Sequence, residues 1–142
     1  MVKIIRSYSA LVEEVTKAVT IAVRNVAHEV CNKLHDCISE QYYLDPGFYP
    51  NVYKRTETFL NSAAYRMISD KSAIIGVDIS SMHYKSGFSA KQIGEWASKS
   101  MHGSPLYQTS TNDFWSEFIT WADANVPQLL KNELKRQGLK VI

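Results

Sequence analysis

The chain has 142 residues, a formal net charge of +2, 45% hydrophobic residues and 11% aromatic residues. A chain of this length is expected to form one domain, residues 1–142, that buries roughly two-thirds of its unfolded surface, without global disorder and without disulfide or metal staples. The nearly balanced charge argues against a dedicated nucleic-acid-binding protein, which usually has a basic excess on one face.

The N-terminus and the cysteines indicate the compartment. The first six residues hold too short an apolar run for a signal peptide, and no apolar segment reaches the length of a membrane span. Cys31 and Cys37 lie about 9 Å apart along one predicted helix and point to different faces, so they cannot bridge each other there. We therefore expect a protein made in the cytoplasm, without membrane contact and with free thiols, unless these pair between subunits.

A long amphipathic helix is predicted from Ser7 or Ser9, either of which can cap it, to about Glu40. Its apolar stripe recurs every three or four residues and contains Leu11, Val15, Ala18, Ala22, Val26, Val30, Leu34 and Ile38. About thirty residues make some 45 Å of helix, whereas the domain has an expected radius of gyration of roughly 15 Å. One end of the helix is therefore expected to project, or to pack on a neighbouring chain.

An aromatic loop follows this helix. The stretch from Gln41 to Asn51 is broken by turn residues. Its four rings are those of Tyr42, Tyr43, Phe48 and Tyr49. A solvated loop rarely exposes so much aromatic surface. Two interpretations stay open: the loop folds back on its own core, or these four rings are candidate contacts with another subunit.

The rest of the chain predicts an α+β fold. Ala64–Ile68 and Ala73–Ile79 are expected to form a hairpin, and Ser89 is expected to cap a short helix. A C-terminal helix is predicted to begin near residue 112. Asn125 is predicted to cap a second segment with Pro127 in its first turn.

The C-terminal residues also carry signals for the end of a helix and for a strand. Gly138 is expected to end the last helix, and Leu139–Ile142 is expected to form an edge strand. The predicted architecture is a long N-terminal amphipathic helix and C-terminal helices packed on a small, mostly antiparallel β-sheet.

The sequence contains only weak patterns for catalysis or metal binding. His28, Cys31 and His35 share one helix face at spacings suited to metal ligands, and Glu29 follows His28 as in helix-borne hydrolase motifs. His102 lies in an irregular stretch without a nucleophile elbow, phosphate loop or carboxylate pair. Structural roles are favoured for the first three residues and a subunit contact for His102, so no catalytic residue, metal site or cofactor is predicted.

The most distinctive stretch is Tyr53–Ser62. It resembles the Tyr-x-Arg-Thr-Gly-x-Leu-x-x-Ser signature of the head–tail joining, or tail-completion, proteins of long-tailed bacteriophages. The resembling segment contains Tyr53, Arg55, Thr56, Phe59, Leu60 and Ser62. Glu57 stands where that family usually has glycine, which argues against a glycine-type turn here. The order of elements and the segments 102–107 and 114–115 extend the resemblance over most of the chain.

The resemblance implies a non-enzymatic virion protein of the phage neck, assembled in the host cytoplasm. It implies a homo-oligomeric ring, hexameric or dodecameric, that completes the tail and joins it to the DNA-filled head. Its partners would be a head-closure or connector protein and the tail-tube protein, and DNA would pass through the lumen without sequence-specific binding. The alternatives are a minor capsid or tail-tube protein and, with less support, a metal-dependent hydrolase that uses His28, Cys31 and His35.

The residue types of the signature indicate a structural latch between helix and sheet. Arg55 offers five donors in a rigid fork that suits a carboxylate or backbone carbonyls. Thr56 is able to cap a short helical turn that directs Phe59 and Leu60 to the core, and Tyr53 is able to bury its ring while its hydroxyl stays hydrogen-bonded.

Replacement of Arg55 by alanine is therefore expected to damage folding or ring assembly, because the groups that Arg55 clamps lose their donor. Thermal unfolding and sedimentation of the purified variant measure the two effects. Lys54→Ala removes a neighbouring positive charge at the variable position of the signature and is the control. An Arg55→Ala protein that folds and assembles normally contradicts the latch.

Overall fold

A computed structural model describes residues 4–40, 60–81, 89, 91, 92, 95 and 114–141. Its elements are α1 (Tyr8–Ile38), β1 (Ala63–Ser69), β2 (Ser72–Val77) and α2 (Phe114–Arg136). Short 3-10 turns, Leu60–Ser62 and Ile79–Ser81, flank the hairpin. Both strands and α2 pack on α1, so the predicted α+β fold, with a long N-terminal helix, a C-terminal helix and a small antiparallel sheet, is confirmed.

Serine side chains cap the N-termini of two helical segments. The Ser7 hydroxyl accepts a hydrogen bond from the Ala10 N–H at 3.2 Å, so Ser7 rather than Ser9 caps α1. Ser89 caps the short helical segment as predicted. Its hydroxyl accepts from the Gln92 N–H at 3.2 Å, and the Gln92 side chain accepts from the Ser89 N–H at 3.1 Å. This reciprocal arrangement is a capping box.

The core lies against the C-terminal two-thirds of α1. Its buried cluster consists of Val26, Val30, Leu34, Cys37, Ile38, Phe114 and Phe118. The small side chains of Ala18, Ala22 and Ala27 are also buried. Cys31 is half-buried and Cys37 is buried, and the two do not bridge each other. Lys33 extends from α1 over the ring of Trp121, with 5.7 Å between its Nζ and the ring centroid, a cation–π contact between the two helices.

The N-terminal third of α1 lies outside this core. No residue from 8 to 17 is buried, and Ala18 is the first buried residue of the helix. The tip of the hairpin reaches α1 at Thr20, whose hydroxyl donates to the Asp70 carbonyl at 2.8 Å. At 31 residues, α1 spans about 46 Å, which agrees with the length expected from the sequence.

The hairpin has the predicted strands, each within two residues of its expected limits. Ala63 pairs with Val77 at the open end, Ser69 pairs with Ser72 at the tip, and the register shifts at Ile68. One face of the hairpin packs on the core through Ala63, Ile75 and Val77. Since successive side chains on a strand alternate between faces, Arg66 and its cross-strand partner Ile74 lie on the other face, where both are exposed.

A single helix replaces the two C-terminal segments predicted from Pro127. The helix α2 runs unbroken from Phe114 to Arg136 with Pro127 inside it. Asn125 does not cap a new segment; its side-chain amide donates to the Trp121 carbonyl at 2.8 Å. Apolar side chains contact the core on both sides of the proline, Phe118 before it and Leu130 after it. This burial outweighs the roughly 3 kcal/mol that a proline costs inside a helix.

Gly138 terminates α2 from just beyond its last residue, Arg136, as predicted. Gly138 has a φ of +89°, which glycine adopts at little cost. Its N–H donates to the Lys135 carbonyl at 2.9 Å, and the Leu139 N–H donates to the Leu134 carbonyl at 3.1 Å. These two bonds form a Schellman motif. The predicted edge strand at the chain end is wrong for residues 139–141, since Leu139 uses its N–H to close the helix.

Pro127→Ala is expected to stabilise the protein. Alanine restores the N–H that bonds to the Asp123 carbonyl and removes the clash of the proline ring with that carbonyl, worth about 1–3 kcal/mol in free energy of unfolding. Urea denaturation measures the change. Gln128→Ala is the control: it removes only an exposed hydrogen bond to Asn132 and should change stability by a few tenths of a kcal/mol at most. A destabilised Pro127→Ala protein contradicts this account of α2.

Candidate functional site

The structure places two of the eleven candidate site residues. Leu60 and Ser62, at the end of the signature, lie in the described part of the chain. The other signature residues, Tyr53, Arg55, Thr56 and Phe59, lie outside the described residues, as do the candidate subunit contacts Tyr42, Tyr43, Phe48, Tyr49 and His102. The latch and the subunit contacts therefore stay predictions.

Ser62 joins the end of the signature to the base of the hairpin. It is 1% exposed, and its carbonyl accepts a hydrogen bond from the Asp78 N–H at 2.7 Å. This bond lies one residue beyond the Ala63–Val77 pair and extends the hairpin ladder. The 3-10 turn that contains Ser62 also contacts α1. The signature thus leads directly into a point where helix and sheet meet.

A polar groove of about 400 Å³ lies at the junction of α1, β1 and α2. We call it the polar junction. It is lined by Arg24, Asn25, His28, Glu29, Asn32, Tyr65, Glu133 and Arg136. The ring of His28 meets the ring of Tyr65 edge-on, with 5.9 Å between the ring centroids. This contact fixes β1 against α1 at the edge of the groove.

Glu133 is the buried charge of the polar junction, with 6% of its surface exposed. Its Oε1 accepts hydrogen bonds from Asn25 Nδ2 at 2.8 Å and from Gln137 Nε2 at 3.0 Å. Its Oε2 lies 3.0 Å from Arg136 Nη1. The bonds from Asn25 and Gln137 lower the pKa of Glu133, Arg136 lowers it further, and burial opposes them.

The environment of Glu133 suits a structural role rather than proton transfer. A general base works best with a pKa near the working pH, whereas the pKa of Glu133 is shifted the other way. Asn25 and Glu133 are 108 positions apart in sequence, so their hydrogen bond ties the end of α2 to the middle of α1. The polar junction is therefore a structural clamp between the two helices.

The three residues with metal-like spacing do not form a metal site. Among the residues that the structure describes, no group of three His, Cys, Asp or Glu side chains is arranged to hold a metal ion. His28 packs on Tyr65, and the Nδ1 of His35 lies 3.8 Å from Asp36 Oδ1. Cys31 is half-buried, and this burial raises the pKa of its thiol.

Among the residues that the structure describes, exposed apolar side chains form a helix stripe and an outer hairpin face. The helix stripe consists of Tyr8, Leu11, Val12 and Val15, which are 82%, 44%, 46% and 38% exposed. The outer hairpin face consists of Arg66, Ile68 and Ile74, and its two isoleucines are 54% and 52% exposed. Exposed apolar clusters of this kind mark interaction surfaces.

Sequence reasoning found the first of these surfaces and missed the second. The overlong amphipathic helix predicted the helix stripe. The signal for the outer hairpin face is the presence of two adjacent isoleucines, Ile74 and Ile75, on one short strand. Because adjacent strand residues point to opposite faces, one of the two must point away from the core.

A family model matches residues 7–136, from the cap of α1 to the last residue of α2. The chain belongs to the YomN family. YomN is a phage-derived family of Bacillus type, so this member is a phage protein. Comparisons with curated proteins and with solved structures gave no match. The phage origin implied by the signature is thus confirmed.

Neither helix of this YomN-family member, within the part of the chain that the structure describes, combines the length and apolar character needed to cross a membrane.

Glu133→Gln is expected to lower the free energy of unfolding at neutral pH by about 1–3 kcal/mol, because charge-assisted hydrogen bonds in the polar junction are lost. The folded-state pKa of Glu133 lies below that of the unfolded chain. The stabilising contribution of the Glu133 carboxylate is therefore complete above the pKa of this group in the unfolded chain. It is lost as the pH falls through the pKa of the same group in the folded protein. The free energy of unfolding of Glu133→Gln should therefore vary less with pH in the acidic range than that of the wild type.

Urea denaturation between pH 3 and pH 7 (roughly the range in which glutamates titrate) measures both effects. Glu13→Gln is the matched control, because Glu13 is exposed and its ion pair among the described residues is with Lys17 on the same helix. If Glu133→Gln and wild type differ by the same amount at every pH, the clamp does not depend on the ionised carboxylate.

Proposed function

We propose that this YomN-family protein is a structural protein of the phage neck, which forms a ring that completes the tail and joins it to the DNA-filled head. The phage-derived family supports the phage part of this statement. The resemblance of Tyr53–Ser62 to the tail-completion signature supports the neck. The observation that carries the assembly role is the apolar face of α1, which continues beyond the protein's own core.

The helix stripe is the direct continuation of the buried face of α1. Val15 and Leu11 lie on the same side of the helix as Ala18 and Ala22, because the spacings of three and four residues continue without interruption. The buried residues end at Ala18, yet the apolar stripe extends to Tyr8. A helix that served only its own core would turn polar where that core ends. The extension is expected in a protein that uses this surface in an assembly.

The polar junction supports a structural role rather than catalysis. The carboxylate of Glu133 is engaged by Gln137 and Arg136 at the end of its own helix and by Asn25 of α1, and the Asn25 bond holds the two helices together. A subunit of a virion ring needs a body of this kind, since it must keep its shape while its exposed surfaces bind neighbours.

The charge of the chain fits a ring through which DNA passes. A net charge of +2 gives little general attraction for the phosphate backbone, and passage through a lumen requires no base readout. The proposed partners are further copies of the chain, the head-closure or connector protein and the tail-tube protein. The proposed location is the neck of the virion.

Deletion of the gene from its phage tests this role. In lysates viewed by electron microscopy, we expect DNA-filled heads and separate tails whose ends are abnormal or uncapped. The wild-type gene supplied in trans is expected to restore joined virions. Loss of all tails would indicate the tail-tube alternative instead, and loss of heads a capsid role. Joined, infectious virions in the absence of the gene would contradict the proposal.

A further inference from the structure

We propose that two copies of the free protein pair through their helix stripes, with the N-terminal thirds of the two α1 helices side by side and antiparallel. The partner is a second copy of this chain, and the contact is symmetric, since both copies use the same stripe. This pair goes beyond the proposed function and does not depend on it. It gives the stripe an occupant in the protein before any larger assembly forms.

The spacing of apolar residues along α1 identifies a helix as the occupant. Tyr8, Leu11, Val15, Ala18 and Ala22 follow one another at intervals of three, four, three and four residues. This alternation is the repeat by which two helices pack along a common seam. Ala18 and Ala22 are buried within the protein itself, whereas the first three residues of the seam are exposed. The seam thus continues past the core and presents the packing surface of a helix to a partner.

In the described part of the chain, the exposed helical surface that matches this seam is the stripe itself. The large apolar residues of α2 that stay exposed are Trp115 and Ile119, which cover a single turn. The stripe runs over two turns, from Tyr8 to Val15, or about 10 Å along the axis. A second copy therefore brings a helix with the required spacing, and it is always present at the same concentration as the first.

The protein's own fold decides the direction of the pairing. The hairpin tip contacts α1 at Thr20 through Asp70, and the seam is buried from Ala18 onward. In a parallel pair the two helices would continue side by side beyond residue 17, where the elements that cover each seam would collide. In an antiparallel pair each helix begins beside the covered part of the other. Residues 8–17 then overlap over about 15 Å, and the two cores lie at opposite ends.

Charge permits this pairing and agrees with its direction. The stripe has no charged side chain, and Glu13 and Lys17, which pair with each other, lie on the opposite side of the helix, so the contact buries no charge. Glu14 also pairs with Lys17, and these two glutamates and one lysine leave a net charge of −1. The exposed Arg6 lies at the other end of the stripe. A parallel pair would set two copies of Arg6 side by side, whereas an antiparallel pair separates them.

The contact is expected to be weak. Tyr8 is 82% exposed and offers the largest area, since a tyrosine buries roughly 150–250 Å². Leu11, Val12 and Val15 are about half as exposed and add less. The total is on the order of 400 Å² per copy, about half of the 800 Å² per partner of a standard interface. Pairs should therefore form and separate readily, so that the stripe is covered in the free protein yet open to a competing contact.

Sedimentation velocity of the full chain over a concentration series tests the pairing. We expect the wild type to form a dimer first as the concentration rises, before any larger species, because the pair covers the stripe of both copies. Leu11→Asp places a charge on the seam and should raise the dissociation constant of the dimer roughly tenfold or more, since burying an unpaired charge is costly. Ile119→Asp is the matched control. Ile119 is also exposed, to 41%, but it lies on α2, so this variant should dimerise like the wild type.

Disulfide trapping tests the antiparallel direction. Val12 lies near the centre of the overlap, so Val12→Cys should crosslink two copies under mild oxidation with copper–phenanthroline. In an antiparallel pair the two copies of Tyr8 are separated by about 10 Å or more along the axis, beyond the roughly 7 Å between Cα atoms that a disulfide spans. Tyr8→Cys should therefore not crosslink. The wild type, with its natural Cys31 and Cys37, gives the background.

Circular dichroism checks the fold of every variant, and Val12→Asp replaces Leu11→Asp if the latter fails to fold. The pairing is overturned by a wild type that stays monomeric at every concentration or passes directly to larger species, or by a folded aspartate variant that dimerises normally. Equal crosslinking of Tyr8→Cys and Val12→Cys would overturn the antiparallel arrangement. None of these results would refute the neck role, because the deletion phenotype tests that role separately.

Discussion

The packing of one continuous apolar face of α1 determines the rest of the structure. Leu34, Cys37 and Ile38 are fully buried on it, and both the hairpin and α2 are placed by their contacts with this helix. The polar junction then favours this arrangement, since the Asn25–Glu133 hydrogen bond forms only when these two residues of α1 and α2 lie side by side. Apolar burial supplies the attraction between these elements, and the buried carboxylate supplies the specificity.

A helix longer than its own core divides the protein into a body and an arm. The body contains the buried part of α1, the hairpin and α2, whereas residues 8–17 of α1 form the arm. Body and arm share one helix, so the direction of the arm is set by the packing of residues that lie far from it. Such an arm presents its apolar surface in a defined direction, which a flexible tail would not do.

The sequence predicted the elements whose patterns are strong and local. The long stripe of α1 and the paired apolar strands follow from periodicity, and Gly138 follows from its conformational freedom. Pro127 misled the prediction, because its local preference for a helix start was weighed without the burial of Phe118 and Leu130 on either side of it.

The site was harder to predict for a related reason. Glu133 looks like a solvent-facing glutamate until the fold brings Asn25, from a distant part of the sequence, within 2.8 Å of it. Ile74 looks like a core residue until the register places it opposite Arg66. Both depend on the way in which separate elements meet, which no local pattern contains.

The arm has a consequence for the accuracy of the proposed assembly. Its turns are held mainly by the helix's own backbone hydrogen bonds and by the cap at Ser7, so the surface that the arm offers to a neighbour is short. A single contact through so short a surface would stay reversible. In the proposed ring, copies that joined in a wrong arrangement would separate before others add to them. Only the closed ring, in which no copy leaves without breaking two contacts, would be long-lived.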